Sequence, residues 1–536
     1  MSGRSAPSLG LRVLRNSAWS ILGWLSLLLL SLISSPFMVR ELGSEFYGLL
    51  ALLTSVVAPL GLMDLGMGEA TIKYVAESLG RQDMRQVEHY LRTMLTMNVA
   101  MGLLGWLVLF FLSRVLVERV FHIPTAHQAM ARECLVWLGA SWCATQVRQT
   151  FIGAVSALQR YRALNIGTFL TQALVTGSGL VALLLHADLL RVVQWQSATT
   201  VLSCSAWWLL AAQLFPKLRL IPGMDRAALR SSLGFGAWQN LNNLGGILTH
   251  QSQRWLLGSM LSVASVGVYN LASQLVTMVY TLSYRGGQVL FPAVSQLQGE
   301  SKHEEAAALM IQSNWVVTSL VLPGMAVVAV FAGDILRLWV GDEFSQAGTN
   351  GLRVLCISHG MSLVCAIPTF YLLGTGRPHW LSYVALAQGL LAIPTAFVLV
   401  PRWGVVGAAT AMACGNLAQL TTVLLMGARL VRGWVRGSSY LAASLGPLSL
   451  CMVAGLVLTV LRSSVAWTPG WSALVPSAAL TGIAFVILVQ AGNLLLPDGS
   501  QRLRALLSIG GNYLASARRR ALADAHALAE ERRHDA

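Results

Sequence analysis

The sequence predicts an all-α membrane protein with about fourteen transmembrane helices, arranged as two like-oriented six-helix lobes followed by an extra C-terminal helix pair. Three observations predict this fold class: the hydropathy of the chain, the distribution of its positive charge and an internal repeat. Hydrophobic residues make up 55% of the 536 residues and charged residues only 11%, with a mean hydropathy of +0.62. A soluble protein of this size is about one quarter charged.

Apolar runs long enough to cross a bilayer recur along the whole chain. The predicted spans are 17–39, 46–68, 93–113, 133–155, 166–187, 192–215, 233–257, 265–290, 309–333, 351–373, 380–400, 404–428, 439–461 and 470–495. The first run follows Arg4, Arg12 and Arg15 and is too long for the core of a signal peptide. We therefore expect it to be retained as the first helix.

The positive charge is distributed as a membrane topology would distribute it. With the N-terminus placed in the cytoplasm, the inner segments collect about 25 lysines and arginines and the outer segments about nine. This pattern predicts that both termini are cytoplasmic and that the number of spans is even. The formal net charge of +15 could suggest a nucleic-acid partner. Because the positive residues are distributed as the membrane topology requires, no such partner is expected.

The chain also repeats itself with a nearly constant spacing. Four pairs match in order: SAWSILGWL at 17–25 with GAWQNLNNL at 236–244, Tyr47 with Tyr269, Gly80 of SLGRQD with Gly299 of LQGESK, and Arg160 with Arg377. The interval between the two members is almost the same in all four pairs. A repeat of six spans gives two lobes of the same orientation, an architecture typical of transporters with the substrate path between the lobes.

The repeat and the composition together predict four segments. Residues 1–220 form an N-lobe of helices 1–6, and residues 221–433 form a C-lobe of helices 7–12. Helices 13 and 14 occupy 434–496, and 497–536 is a basic cytoplasmic tail. The cytoplasmic segments 72–92 and 291–308 occupy equivalent repeat positions, and we interpret them as interfacial helices.

Helix 7 carries the strongest functional signal. At 100° per residue, six polar side chains share an arc of about 120°; they are Gln239, Asn240, Asn243, His250, Gln251 and Arg254. A helix that faces only lipid cannot carry such a stripe, because each uncompensated polar group costs several kcal/mol. Helix 1 shows a milder stripe of about 80°, with Asn16, Ser20, Gly23, Ser31 and Ser34. We therefore expect both helices to line a polar cleft.

Several segments resemble a known family. FYGLLALLTSVVAPLGLMDLGMGEA at 46–70, SLGRQD, VGVYNLASQLV at 266–276 and WGVVGAATA at 403–411 are similar to the polysaccharide and oligosaccharide flippases, called Wzx-type. These proteins belong to the multidrug/oligosaccharidyl-lipid/polysaccharide exporter superfamily. The resemblance covers about 17–430. One departure is in helix 7, where such proteins often carry an Asp-Arg pair and this chain has Gln253 and Arg254.

The resemblance implies a function and partners. It implies transport of an undecaprenyl-diphosphate-linked glycan from the inner to the outer leaflet of a bacterial plasma membrane, by alternating access driven by an ion gradient or the membrane potential. Polysaccharide polymerase and export proteins are expected partners. If the aspartate of the family pair couples ions, that role is in doubt at Gln253.

A diphosphate is a natural counter-ion for arginines inside the membrane, because guanidinium binds phosphate oxygens through two parallel hydrogen bonds. The candidates are Arg254, Arg148 and Arg285, with His250 as a pH-sensitive neighbour and Arg40 and Arg353 at outer helix ends as a second rank. Other interpretations stay open. Arg254 and Arg285 lie near helix ends and could snorkel to the interface, and Arg148 could bridge to a neighbouring helix. Asp64, in the Leu-Asp-Leu-Gly piece, is expected to have a gating or structural role.

No catalytic apparatus is visible in the sequence. It contains no GxxxxGKS or GxxxxGKT phosphate loop, no HExxH, and no cysteine and histidine cluster at zinc spacing. We therefore expect neither an enzyme nor a cofactor or metal. The alternatives are a drug/cation antiporter of the same superfamily, a membrane glycosyltransferase or ligase, and a scaffold that transports nothing. The first would show acidic residues in its spans, and the second a large outer loop.

Overall fold

A computed structural model of the chain describes residues 9–64, 67–121, 123–216, 218–375, 379–463 and 470–494. Within these ranges the protein is built from α-helices and two short segments of 3-10 and π helix, and it contains no strand. Long apolar sequences adopt this structure because a helix satisfies all of its backbone hydrogen bonds internally, which lipid requires.

The described residues contain fourteen α-helices. They are α1 Leu9–Val57, α2 Met67–Gly80, α3 Met84–Val115, α4 Thr125–Ala157, α5 Tyr161–Leu184, α6 Leu189–Leu214, α7 Arg226–Met260, α8 Val263–Gly299, α9 His303–Val330, α10 Ala332–Val340, α11 Asp342–Gly374, α12 His379–Val431, α13 Gly437–Ser463 and α14 Trp471–Leu494.

Two of these helices each cover a pair of predicted spans. α1 is interrupted at Gly43, where φ is 76°, and α12 at Gly404, where φ is 55°. Both values lie in the left-handed region, which glycine adopts without steric cost and other residues avoid. The loops predicted between these spans are therefore replaced by breaks of a single residue.

Other boundaries also differ from those predicted. The predicted span 46–68 leaves α1 at Val57 and continues as a 3-10 helix, Ala58–Asp64. The outer loop predicted at 334–350 is occupied by α10 and the first turns of α11. A π helix, Leu116–Val120, extends α3. Helix ends shift in this way because periodicity locates a helical face better than it locates a terminus.

The protein is a multi-pass membrane protein. In the part of the chain that the structure describes, nine helices are long and apolar enough to cross a membrane. α4, α6 and α7 are of similar length but are not among the nine. The exact number of fourteen spans, the cytoplasmic position of the termini and the lobe boundaries stay predictions. The basic tail 497–536 lies outside the described residues.

The local backbone repeats with the spacing found in the sequence. Gln82 and Ser301 are separated by the same interval as Gly80 and Gly299, and both have positive φ, 58° and 59°. Their turns also share hydrogen bonds at equivalent positions: Gln82 N to Leu79 O, Ser301 N to Gln298 O, Asp83 N to Ser78 O and Lys302 N to Leu297 O. This pattern closes the C-terminus of a helix. Equivalent loops of the two sequence repeats thus have the same conformation.

The helices form two compact units. Unit 1 comprises the described residues of Met1–Met278, Ile335–Leu355 and Leu381–Gly415. Its largest core lies among α2, α3, α4 and α6, with buried side chains that include Met94, Phe151 and Trp207.

Unit 2 comprises the described residues of Val279–Asp334, Cys356–Trp380 and Asn416–Ala536. In this unit α13 and α14 pack against α9. The buried Asn314 donates from Nδ2 to Oγ of Ser444 at 3.0 Å, which joins α9 to α13.

Candidate functional site

The polar face predicted on helix 7 lies on α7, and the structure describes three of its side chains. Arg254 donates from Nη1 to Oε1 of Gln251 at 2.7 Å and to the backbone oxygen of His250 at 3.5 Å. His250 is exposed, whereas Gln251 and Arg254 are half-buried. The remaining members lie on α7 with side chains outside the described residues: Gln239, Asn240 and Asn243. Arg254 is thus held in place by its own helix.

The guanidinium of Arg254 is not neutralised by an acid. Its Nε is buried without a hydrogen-bond partner, and no carboxylate forms an ion pair with it within the described ranges. The hydroxyls of Tyr47 and Tyr269 are near enough to interact with its charge. A guanidinium in this state can offer two parallel donors to an oxyanion. The arrangement is therefore suited to an anionic ligand.

A second polar network joins α1 to α8. Asn270 donates from Nδ2 to the Tyr47 hydroxyl at 3.1 Å. One turn further, Gln274 donates from Nε2 to Oγ of Ser31 at 2.5 Å and to Oγ of Ser35 at 3.0 Å. Part of the stripe predicted on helix 1 therefore faces α8. Tyr47, Asn270, Gln274 and Ser35 were not predicted as site residues.

Two glycines allow this close approach. A Cβ added to Gly48 would lie 1.9 Å from the backbone oxygen of Val263, and one added to Gly267 would lie 3.0 Å from Cα of Gly48. The backbones therefore touch where α1 passes α8. Gly48 and Gly267 are separated by the same interval as the repeated turns, whereas Tyr47 and Tyr269 lie slightly further apart. The glycines, rather than the two tyrosines, are the equivalent pair.

α8 carries a polar stripe that was not predicted from the sequence. Five residues recur at alternating spacings of three and four and share an arc of about 80°: Asn270, Gln274, Thr277, Thr281 and Tyr284. Thr277 and Tyr284 are exposed. The spacing of these residues could be read from the sequence. A few polar residues within a long apolar helix leave its mean hydropathy high, however, so hydropathy alone does not reveal the stripe.

Gln253, which stands where the family often has aspartate, is completely buried. Its Oε1 accepts a hydrogen bond from Ser252 Oγ at 2.9 Å, and its Nε2 has no partner in the part of α7 and its surroundings that the structure describes. An amide does not ionise, so this position cannot take up or release a proton.

The other predicted arginines occupy separate places. Arg148 donates from Nη1 to Oγ of Ser203 at 3.0 Å, which bridges α4 and α6, and its Nε is buried without a hydrogen-bond partner, as the Nε of Arg254 is. Arg353 donates from Nη1 to Oδ1 of Asn350 at 3.4 Å, and Arg40 is exposed. Arg285 lies on α8 with its side chain outside the described residues. The described hydrogen bonds bring none of these arginines to Arg254.

Asp64 ends the 3-10 helix and accepts a hydrogen bond from Gln146 Nε2 at 3.4 Å. Gln146 is buried on α4. Asp64 therefore connects the end of the second predicted span to α4, and its gating or structural role stays a prediction. The described residues contain no group of three or more His, Cys, Asp or Glu that could hold a metal ion.

Comparisons with known proteins identify relatives. A family model described as polysaccharide biosynthesis protein matches residues 37–348. A putative O-antigen transporter of Shigella flexneri is 19% identical over 403 residues, which cover 74% of this chain and 93% of that protein. A probable low-salt glycan biosynthesis flippase of Haloferax volcanii, Agl15, is 22% identical over 187 residues, 34% of this chain and 39% of that protein.

Among solved structures, the lipid II flippase MurJ in an inward closed conformation is similar in fold. The TM-score is 0.69 at 11% sequence identity, and the alignment covers 88% of this chain and 98% of that chain. At this identity the similarity establishes the fold alone. It agrees with the all-helical membrane architecture predicted from the sequence.

Proposed function

This chain belongs to the polysaccharide biosynthesis protein family, and we propose that it is a flippase for lipid-linked glycans. It moves an undecaprenyl-diphosphate-linked oligosaccharide or polysaccharide repeat unit from the inner to the outer leaflet of a bacterial plasma membrane. The relatives described as an O-antigen transporter and a glycan flippase support this proposal. Transport requires no covalent step, so the protein acts as a carrier and not as an enzyme.

The observation that carries the proposal is the unpaired guanidinium of Arg254. Arg254 lies within the predicted span 233–257, and an ionisable residue inside a span marks a functional site by default. Here Gln251 orients the guanidinium at 2.7 Å and leaves donors unused. A diphosphate would supply the missing negative charge and accept two hydrogen bonds in parallel.

The polar stripes of α7 and α8 suit the glycan. A glycan exchanges hydrogen bonds with water, and a path through the membrane must replace them with amides and hydroxyls such as those of Gln251 and Thr277. The polyprenyl chain needs no such replacement and stays in lipid. We therefore propose alternating access, with the headgroup carried along these two helices.

The energy source follows from analogy with the family and is an ion gradient or the membrane potential. Gln253 cannot supply a titrating group in α7, so coupling to protons would use another residue. We also propose that polysaccharide polymerase and export proteins are the functional partners. The drug/cation antiporter stays the alternative, although Arg254 favours an anionic cargo over a cationic one.

The test is complementation of a bacterium that lacks its own flippase. We expect wild type to restore surface glycan and Arg254→Ala to accumulate the lipid-linked precursor at matched expression. Arg254→Lys should be intermediate, because an ammonium keeps the charge but loses the fork of donors. Arg402→Ala, which removes an exposed arginine of α12, is the control and should export normally.

Two results would contradict the proposal in different ways. Normal export by Arg254→Ala would remove Arg254 from the diphosphate site. Failure of wild type to export any lipid-linked glycan would count against the flippase function itself, and drug-efflux measurements would then test the antiporter.

A further inference from the structure

Unit 2 contains an aromatic cluster formed by Tyr280 and Tyr284 on α8 and His359 and Phe370 on α11. The ring centroids of Tyr284 and Phe370 are 4.9 Å apart, those of Tyr280 and His359 are 6.0 Å apart, and those of Tyr280 and Tyr284 are 6.4 Å apart. All three distances fall in the range of favourable aromatic pairs. The four rings therefore form one continuous packed group.

Most of this cluster is fixed by its surroundings. His359 is 3% exposed and Phe370 5%. The Tyr280 hydroxyl forms a hydrogen bond with the side chain of Ser362, which is also buried. Rings held in this way lose little conformational entropy when a ligand binds.

Tyr284 is the exception, because 39% of it is exposed. It lies on the polar stripe of α8, where Thr277 and Thr281 share its face. Phe397 of α12 is different: it is 53% exposed, and the exposed large hydrophobic residues of the same part of the helix are Leu390, Leu391 and Val398. An aromatic ring on an apolar surface is explained by contact with the membrane. A ring on a polar stripe, backed by buried rings, indicates a ligand with both apolar and polar surfaces.

A sugar ring has those surfaces. One face carries C–H groups that pack against an aromatic ring, and its rim carries hydroxyls that need donors and acceptors. Binding sites for small polar ligands combine an apolar wall with a few placed polar groups in this way. The Tyr284 ring supplies the wall, and the stripe on α8 supplies hydroxyls beside it.

We propose that Tyr284 is the stacking surface for a sugar ring of the transported glycan, supported from behind by Phe370 and Tyr280. This inference rests on the proposed flippase function and adds a subsite for the glycan whose residues differ from those proposed for the diphosphate. The glycan and the diphosphate are then recognised by different residues, and each can be tested without the other.

The experiment compares two ligands on the purified full-length protein in lipid nanodiscs. One is undecaprenyl diphosphate that carries the glycan, and the other is undecaprenyl diphosphate alone. Tyr284→Leu should weaken binding of the glycosylated lipid by roughly tenfold, as truncation of an aromatic contact residue does, and leave the bare lipid unaffected. Tyr284→Phe keeps the ring and should bind both like wild type.

Two further variants complete the comparison. Arg254→Ala should weaken the binding of both lipids, since both contain the diphosphate. Phe397→Leu removes an exposed aromatic ring from an apolar surface and should change neither. The thermal stability of every variant is measured in parallel, and Tyr284→Phe provides a folded reference if Tyr284→Leu is unstable.

The outcomes separate the inference from the function on which it rests. Suppose that wild type binds both lipids. If Tyr284→Leu then binds the glycosylated lipid as tightly as wild type does, or loses the same affinity for both lipids, the sugar subsite is overturned and the flippase function stands. Weaker binding of the glycosylated lipid by Tyr284→Phe would overturn stacking as well. If wild type binds neither lipid, the proposed function fails and the subsite with it.

Discussion

Gly48 and Gly267 touch where α1 passes α8, and the two residues occupy equivalent positions of the sequence repeat. The contact has no room for a side chain on either glycine. It brings Tyr47 to Asn270 and Ser31 to Gln274, so the hydrogen bonds between the two helices depend on it. Both residues lie in unit 1, and their contact is therefore internal to that unit.

Gly48→Ala should destabilise this packing. The new Cβ would lie 1.9 Å from the Val263 oxygen, a backbone atom that cannot rotate away. We expect a loss of about 1–3 kcal/mol, the range for overpacking, seen as a lower unfolding temperature in detergent. Gly177→Ala is the matched control, because nothing lies within 4 Å of its Cβ position. If the two variants had equal unfolding temperatures, the close contact at Gly48 would be contradicted.

The bond between Gln274 and Ser31 should be visible as a coupling energy. In a double-mutant cycle of Gln274→Leu and Ser31→Ala, we expect an interaction of about 0.6 kcal/mol and at most about 1.7, as for other hydrogen bonds within membranes. The measurement is thermal or denaturant unfolding. Thr395→Ala, which removes a hydroxyl bonded to its own helix at Leu391, should be additive with Gln274→Leu. A cycle with no coupling would show that the bond contributes nothing.

An ion pair joins α13 to Asp334 within unit 2. Arg462 donates to Oδ2 of Asp334 from both Nε and Nη2 and lies 4.6 Å from the centroid of the Phe331 ring. The two charged side chains are only 19% and 15% exposed. Arg462→Gln should cost about 1.5–3 kcal/mol, the range for a hydrogen bond to a charged group.

Two comparisons check this ion pair by the same unfolding measurement. The exchange of both charges, Arg462→Asp with Asp334→Arg, should recover part of the loss. Arg114→Gln is the control: its side chain is 75% exposed in its pair with Glu118, and exposed pairs contribute about 0–1 kcal/mol. If Arg462→Gln lowered the free energy of unfolding no more than Arg114→Gln does, the ion pair would have no stabilising role.

Arg148 should prove to be a structural residue. Its bond to Ser203 joins α4 to α6, and glutamine could still donate to that hydroxyl whereas alanine could not. We expect Arg148→Gln to be more stable than Arg148→Ala, and both to bind undecaprenyl diphosphate with the affinity of wild type. Weaker binding by Arg148→Gln without a loss of stability would instead place Arg148 at the ligand.

The sequence predicted the general fold and one of the two polar helix faces, that of α7. An all-helical membrane protein and the family resemblance are confirmed, because sustained hydropathy and an internal repeat of nearly constant spacing can both be read from a single chain. The polar face of α7 was identified because six strongly polar side chains on one helix have no explanation in lipid. On α8 the stripe has only two strongly polar members, Asn270 and Gln274, and the other three are threonine and tyrosine. It was not predicted because these few polar side chains are spread along a long apolar helix.

Partners across helices could not be predicted for a different reason. Periodicity shows which residues of a helix share a face, but it does not show which other helix lies opposite. The bond from Asn270 to Tyr47 joins residues 223 positions apart. The breaks at Gly43 and Gly404 were expected as loops, since a single left-handed residue within a long apolar run has no periodic signature.

If Arg254 binds the diphosphate, as proposed, its charge has an electrical consequence. Without cargo the site carries one positive charge, and with a bound diphosphate its net charge becomes negative. A potential that is negative inside would then draw the empty site towards the cytoplasm and push the loaded site outwards. Each elementary charge that crosses the full potential is worth about 2.3 kcal/mol per 100 mV. Binding of the cargo would thus reverse the sign of the charge at the site. The same membrane potential would then favour both the outward movement of the loaded site and the inward return of the empty one.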